Sequence, residues 1–414
     1  MWLPRKLKSS RMNKVYLDYQ SSTPVLPEVL EAMLPWFRDY YGNASALHEL
    51  GIRSKKALTR AREQFAAAIH AAEPEEIIFT SCGTEANNLG VKGSAYALQS
   101  KGKHIILSTA EHPSVENSVA FLEKQGFTAT RVPVDRQGRI DPAAVEAAIT
   151  PETILIATHY ANHDIGTIQP IAEIGAIAER HKIQFFVDAA FSAGWLPIDV
   201  TRLKTGLISL SPHRFYGPKG VGVLYKSRKA RLLSIISGGI QEGNRRSGTE
   251  NVPAIVGAGL AMERAEAKRE KRVAHVSALQ KRLWEGLSAN IPYICLNGPL
   301  PGDGRHPCNL NISTEFIEGE GQLLLCNAAG IAVASGSSCS SKNLKASPVL
   351  SAIGQALTLM QGNLIFSLGK DNTEEEIDYV ISSFTKIVER LRGMSPVWDA
   401  FQKGQVQSVI APAK

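Results

Sequence analysis

From about residue 47 the chain alternates between two spacings of its apolar residues. Leu47 to His70 carries them three and four positions apart, the repeat of one helix face, and Glu76-Ile-Ile-Phe-Thr80 then reads as a short buried strand. A helix resumes over Thr84 to Leu98. Further strands are predicted at His104–Ser108, Ile154–Thr158, Gln184–Asp188, Leu207–Leu210 and Val221–Tyr225, with helical segments between several of them. This succession predicts an α/β domain built on a mostly parallel sheet. In such a domain a ligand lies at the carboxyl ends of the strands, where Gly, Ser, Asp and His residues collect. After Asn251-Val-Pro253 a stretch rich in Ala, Glu, Lys and Arg predicts helix to about Asn290, a spine between domains without a strict heptad. Pro and Gly from Asn297 to Pro307 mark a loop. From Asn309 a smaller α/β domain is expected, closing on an acidic-started helix, Thr373 to Arg392. The expected division is an N-terminal segment (1–25) packing with the small domain, a large cofactor-type domain (26–265) and a small C-terminal domain (266–414).

Composition narrows the function classes. The 414 residues are 44% hydrophobic and 21% charged, enough for one large core and a smaller second one. No run of eighteen apolar residues suggests a membrane span. The opening Met1-Trp-Leu-Pro-Arg-Lys-Leu-Lys-Ser-Ser10 lacks the apolar core of a secretory signal, so the expected location is cytoplasmic. Arg5, Lys6, Lys8, Arg11 and Lys14 precede the first acidic residue and supply much of the formal charge of +7. With no basic stripe interleaved with aromatics, nucleic acid is not an expected partner. The five cysteines, Cys82, Cys295, Cys308, Cys326 and Cys339, form no C-x-x-C pair, and their odd number argues for reduced thiols. Cys339 stands apart, because Ala334-Ser-Gly-Ser-Ser-Cys-Ser-Ser-Lys342 is a polar loop that would leave its thiol accessible.

The candidate chemistry lies at strand ends. At Thr80-Ser-Cys-Gly-Thr-Glu-Ala-Asn87 a strand turns through glycine into a helix, so Gly83, Thr84 and the helix end could cradle a phosphate or form an ordinary cap. Ser211 and His213 add donors on the same face of the sheet. Asp188 could meet a pyridine nitrogen and keep it protonated, or serve as a turn former. His112 could stack on a ring and move protons, or make a helix-capping hydrogen bond. The stretch Ser209-Leu-Ser-Pro-His-Arg-Phe-Tyr-Gly-Pro-Lys-Gly220 reads like the cofactor segment of a pyridoxal-phosphate enzyme, except that Arg214 follows His213. Such a cofactor is held as an imine on a lysine amine, which a permanently charged guanidinium cannot supply.

Nearly the whole chain resembles the cysteine desulfurases, fold-type I pyridoxal-phosphate enzymes of aminotransferase class V that feed iron–sulfur cluster assembly. The likeness runs through Tyr16-Leu-Asp-Tyr-Gln-Ser-Ser-Thr-Pro24, Tyr41-Gly-Asn-Ala-Ser45, Thr80-Ser-Cys-Gly-Thr-Glu85 and Thr109-Ala-Glu-His112. It continues at Asn162-His-Asp-Ile-Gly166, Val187-Asp-Ala-Ala190, Tyr216-Gly-Pro-Lys-Gly220 and Arg246-Ser-Gly-Thr-Glu-Asn251, and ends at Ser335-Gly-Ser-Ser-Cys339, Phe366-Ser-Leu-Gly369 and Leu391-Arg-Gly-Met-Ser-Pro-Val-Trp398. The resemblance implies a seven-stranded sheet and a homodimer. Gly83, Thr84, Ser211 and His213 would surround the cofactor phosphate, joined by Thr249 from the other subunit. His112 would stack on the ring, Asn162 would lie beside its phenolic oxygen, and Asp188 would face its nitrogen. Cys339 would take sulfur from cysteine and hold it as a persulfide.

Three positions depart from that pattern. Arg214 stands in place of the imine lysine, Phe191 in place of a glutamine supporting the ring oxygen, and Ile365 in place of the arginine that clamps the substrate carboxylate. Ala44 for proline and Gly243-Asn244 for Arg-Gly are milder irregularities. The expectation is therefore a desulfurase-like protein with lost or altered turnover, its pyridoxal phosphate held non-covalently or not at all. Cys339 would then relay sulfur to an acceptor or iron–sulfur assembly partner, or ligate a cluster. The alternatives are an active but atypical cysteine desulfurase and a non-catalytic regulatory or scaffold homodimer.

Overall fold

The computed structural model describes residues 15–302, 304–336 and 347–410. Its first strand, β1 (Val15–Tyr16), is followed by the strands of the large sheet: β2 (Ile77–Thr80), β3 (His104–Ser108), β4 (Thr128–Val132), β5 (Thr153–His159), β6 (Gln184–Asp188), β7 (Leu207–Leu210) and β8 (Gly222–Lys226). They assemble in the order β2-β8-β7-β6-β5-β3-β4, so this is the expected seven-stranded sheet. Pairing is parallel from β7 across to β4, while β8 runs antiparallel to both neighbours.

The central strands are buried on both faces, as their unbroken apolar runs require. Ile105, Leu107, Leu155 and Phe186 pack on one side with the helix Gly83–Leu98, while Ile106, Ile156, Phe185 and Val187 belong to the larger core on the other. Strand β4 is not among the strands that the apolar pattern predicts. It is an edge strand of sequence Thr-Ala-Thr-Arg-Val with only its last residue buried, so it lacks the apolar run that marks its neighbours.

The smaller sheet joins β9 (Ile294–Leu296), β10 (Asn309–Thr314) and, after β11 (Ile331–Ala332), β12 (Asn363–Ser367), in the antiparallel order β12-β10-β9. The helix Glu374–Arg392 packs beside it through Ile377, Val380, Phe384 and Val388, and a capping box at Thr373 and Glu376 fixes its start. The predicted spine is two helices, Val252–Ala267 and Arg269–Asn290, broken at Lys268, whose backbone leaves the helical region at ψ 11°. The absence of Gly or Pro there hid the break.

The N-terminal segment reaches both sheets. β1 pairs in parallel with β11, and Asp18 bridges Ser367. Farther on, Thr23 takes His213 O with its N–H at 2.9 Å and its hydroxyl at 3.0 Å, and accepts the N–H of Tyr216 at 2.7 Å. A segment remote in sequence thus braces the turn that carries Arg214. Among the described residues no helix is long and apolar enough to cross a membrane.

Candidate functional site

The carboxyl ends of β2, β5, β6 and β7 converge on one cleft. Its walls include Gly83, Thr84, His112, Asp188, Ser211, His213, Phe191 and Arg214. Sequence spacing alone could only put each of these at a strand or helix end.

One end of the cleft is a set of open donors. The helix Gly83–Leu98 starts with Cys82 as its cap, whose sulfur accepts the N–H of Glu85 at 3.4 Å and whose carbonyl accepts that of Ala86 at 3.1 Å. The N–H groups of Gly83 and Thr84 precede any intrahelical partner and remain free for an anion. A Cβ on residue 83 would stand 3.2 Å from both Cβ and Oγ of Ser211, a close approach that glycine keeps uncrowded. Nearby, His213 Nδ1 is buried without a partner, and burial followed by the charges of Arg214 and Lys219 pushes its pKa down to about 4.

A hydrogen-bonded chain crosses the floor. Asn87, one turn into the same helix, donates its amide hydrogens to Asp188 Oδ2 and to Ser114 Oγ, each at 2.7 Å. Ser114 Oγ in turn lies 2.7 Å from His112 Nδ1, which also accepts the Ser114 N–H at 3.1 Å. Asp188 Oδ1 is held by the N–H of Ala190 at 2.9 Å. His112 is therefore both a helix cap and a wall of the cleft. Its pKa lies below the ordinary value because burial disfavours the imidazolium; Asp188 opposes this and Arg214 reinforces it. With Nδ1 accepting, neutral His112 carries its proton on Nε2.

Arg214 has no hydrogen bond or ion pair from its guanidinium among the described residues; its Cζ lies 5.8 Å from the centre of the Phe191 ring. Burial lowers its pKa and Asp188 works against that, yet an arginine remains charged at any ordinary pH. Phe191 stacks on His306 with ring centres 4.0 Å apart and planes 21° from parallel. Burial pushes His306 down to about 3, so the stack is between two neutral rings.

The other candidates fall elsewhere. Asn162 is wholly buried and bound to backbone: it donates to Ala110 O at 3.0 Å and accepts from Asp164 N and Ile165 N at 2.9 and 3.0 Å. It shapes the turn, and its neighbour His163 lines the cleft, edge-on to His112 at 4.8 Å. Ile365 is buried in β12, bridged to Ala334, and Thr249 is exposed; neither lines this cleft. Cys339 lies outside the described residues. Of the other thiols, Cys308 and Cys326 are buried, and burial raises the pKa of Cys295 to about 11 and of Cys326 to about 12. Among the described residues no three His, Cys, Asp or Glu side chains are grouped to hold a metal. Asn87, Ser114 and His163 went unnoticed in the sequence, although Asn87 shares a helix face with Gly83 four residues before it.

Residues 15–380 match the aminotransferase class-V family signature. The chain is 46% identical over 394 residues to a cysteine desulfurase IscS of Methanosarcina thermophila, spanning 94% of this chain and 95% of that protein. It is 44% identical over 383 residues to a cysteine desulfurase IscS of Dictyoglomus turgidum, spanning 92% and 96%. Among solved structures it superposes on a NifS-like protein with TM-score 0.85 at 34% identity, covering 91% of this chain and 100% of that one. It is also similar to a protein named SspA, solved in complex with cysteine, with TM-score 0.76 at 35% identity, over 87% and 100% of the two chains.

Proposed function

The chain belongs to the aminotransferase class-V family, in its cysteine-desulfurase group, and from that premise we propose that it handles sulfur as an atypical cysteine desulfurase whose cofactor is held without a covalent bond to the protein. The observation that carries this reading is the cradle between Gly83 and Ser211, where a Cβ would stand only 3.2 Å from the serine, backed by a buried, unpartnered His213 nitrogen. Gly83, Thr84, Ser211 and His213 suit the phosphate of pyridoxal phosphate, and Asp188 suits its ring nitrogen. The fit fails at the imine end, where Arg214 replaces lysine and no lysine lines the cleft among the described residues, and at the ring oxygen, where Phe191 lines the cleft and Asn162 does not. When bound, this cofactor supplies an aldehyde and an electron sink.

The chain's own residues do the rest. Asn87 orients Asp188 and, through Ser114, fixes the proton of His112 on Nε2. Phe191, stacked on His306, presents an apolar wall to the cleft. The free cation of Arg214 is available for the carboxylate of cysteine, the task left vacant by Ile365. In the net reaction the C–S bond of cysteine breaks and an S–S bond forms at Cys339, giving alanine and a persulfide, with one thiol proton passing to carbon. Cys339 is the carrier that the family resemblance implies, while burial keeps Cys326 protonated and a poor nucleophile. The SspA structure with cysteine supports the substrate. A homodimer in which Thr249 completes the partner's phosphate site fits its exposure in the single chain.

A second reading, a sulfur relay or assembly subunit without turnover, is favoured by the missing lysine alone. Absorption spectroscopy with added pyridoxal phosphate, followed by alanine quantification from cysteine, separates the two. The proposal predicts a saturable visible band and slow alanine formation that stops in Cys339→Ser. A preparation that stays colourless and forms no alanine overturns it.

A further inference from the structure

Directly behind the turn that carries Arg214 lies a second cavity, of about 650 Å³, whose lining includes residues 215 and 216 of that turn. Arg264, Lys268, Lys271, Arg272 and Lys370 surround it together with His275, against one carboxylate, Glu28. Arg264 and Lys370 have acidic neighbours, Glu263 at 3.3 Å and Asp371 at 2.6 Å. Lys268 and Lys271 make no side-chain hydrogen bond or ion pair among the described residues. Arg272 is only 8% exposed, and its charge is met by carbonyls, those of Gly194 and of Ala265, the latter at 2.9 Å. Its Nε is buried without any partner. Glu266, the next carboxylate along, is already paired with Arg269 at 3.4 Å.

A solvated lysine face is normally convex and interspersed with acids. Here like charges converge on a concave wall that is mainly apolar, an arrangement that focuses positive potential and holds an unsatisfied buried donor. We propose that this cavity binds a small anion bearing two or more phosphates, held by Lys268, Lys271 and Arg272. Guanidinium and ammonium donors suit phosphate oxygens.

Such an occupant would touch the turn that shapes the cleft. Trp195, over which Arg272 lies at 5.1 Å, donates its indole N–H to Arg214 O at 3.2 Å. Tyr216 sits at φ 69°, and its hydroxyl accepts the N–H of Lys370 at 2.7 Å.

The test uses ADP as the probe, titrated calorimetrically into the full-length protein, the Lys268→Gln/Lys271→Gln variant and Gly83→Asp, which places a carboxylate in the phosphate cradle of the cleft. The lysines are exposed, and a melting curve checks that the double variant folds. The expected result is saturable binding that persists in Gly83→Asp and weakens at least tenfold in the double lysine variant. No saturable binding at millimolar ADP, or binding lost in Gly83→Asp and kept in the lysine variant, overturns the proposal. Neither outcome depends on cysteine turnover.

Discussion

Asp164 gives a test whose size follows from the structure. Its carboxylate is 4% exposed, accepts the Asn311 side-chain N–H at 2.7 Å on one oxygen and the hydroxyl of Ser347 on the other. Gly336 packs so close that a Cβ there would stand 2.6 Å from Asp164 Oδ1, and its N–H bonds Asn363 at 2.9 Å. Gly336 and Ser347 flank the segment bearing Cys339, so one buried acid bonds one stem at Ser347 and lies against the other at Gly336, next to the cleft turn at His163. Burial, opposed by the Ser347 and Asn311 hydrogen bonds, raises the pKa of Asp164 from 3.8 to about 6. The folded protein therefore holds this proton more tightly than the unfolded chain does. The stability this contributes is fully present below about pH 4 and is lost as pH rises through about 6, a change of about 3 kcal/mol for about two pKa units. Asp164→Asn keeps an oxygen for Asn311 and removes the titration. Urea unfolding of both proteins from about pH 4 to about pH 8 should show the variant gaining about 3 kcal/mol on the parent across that window. A difference that does not vary with pH refutes the reasoning.

Other outcomes follow from single contacts. Gly83→Ala crowds Ser211, so calorimetry should find pyridoxal phosphate bound about tenfold more weakly, about 1.4 kcal/mol, with little change in melting temperature. Asn87→Ala strips Asp188 and Ser114 of a shared donor inside the protein and should lower unfolding free energy by about 1–3 kcal/mol in denaturant titrations. Arg214→Met removes the free cation of the cleft. Steady-state kinetics should show KM for cysteine rising by about 10- to 100-fold, more than kcat falls, as loss of a charged hydrogen bond of about 1.5–3 kcal/mol implies.

The parts of the fold that were legible in the sequence are those whose burial is complete. β3, β6 and β7 lie where their apolar runs put them, and the helices Glu49–Ile69, Gly83–Leu98 and Glu374–Arg392 begin and end within two residues of expectation. What escaped were elements defined by partners instead of composition. β4 is an edge strand half open to solvent, and the break at Lys268 has no punctuating residue. The same holds in the site. Gly83, Asp188, Ser211 and His213 stand at element ends, where position betrays them, and they do meet in one cleft. Asn87 and Ser114 act through hydrogen bonds between distant helices, and the role of Asn162 depends on which backbone groups fold back on it. No local pattern carries that information. The basic cavity is hidden for the same reason: Lys268 and Lys271 lie more than fifty residues from Tyr216 and about a hundred from Lys370 in sequence.

The proposed function requires that Arg214 leave bound pyridoxal phosphate unlinked. Borohydride reduction after incubation with pyridoxal phosphate, followed by intact-mass and peptide mapping, reads this directly on the parent and on Arg214→Lys. The prediction is no stoichiometric adduct in the cleft of the parent, although the cofactor binds, and a reduced adduct at position 214 in the lysine variant. A stoichiometric adduct on a cleft residue of the unaltered protein would contradict it.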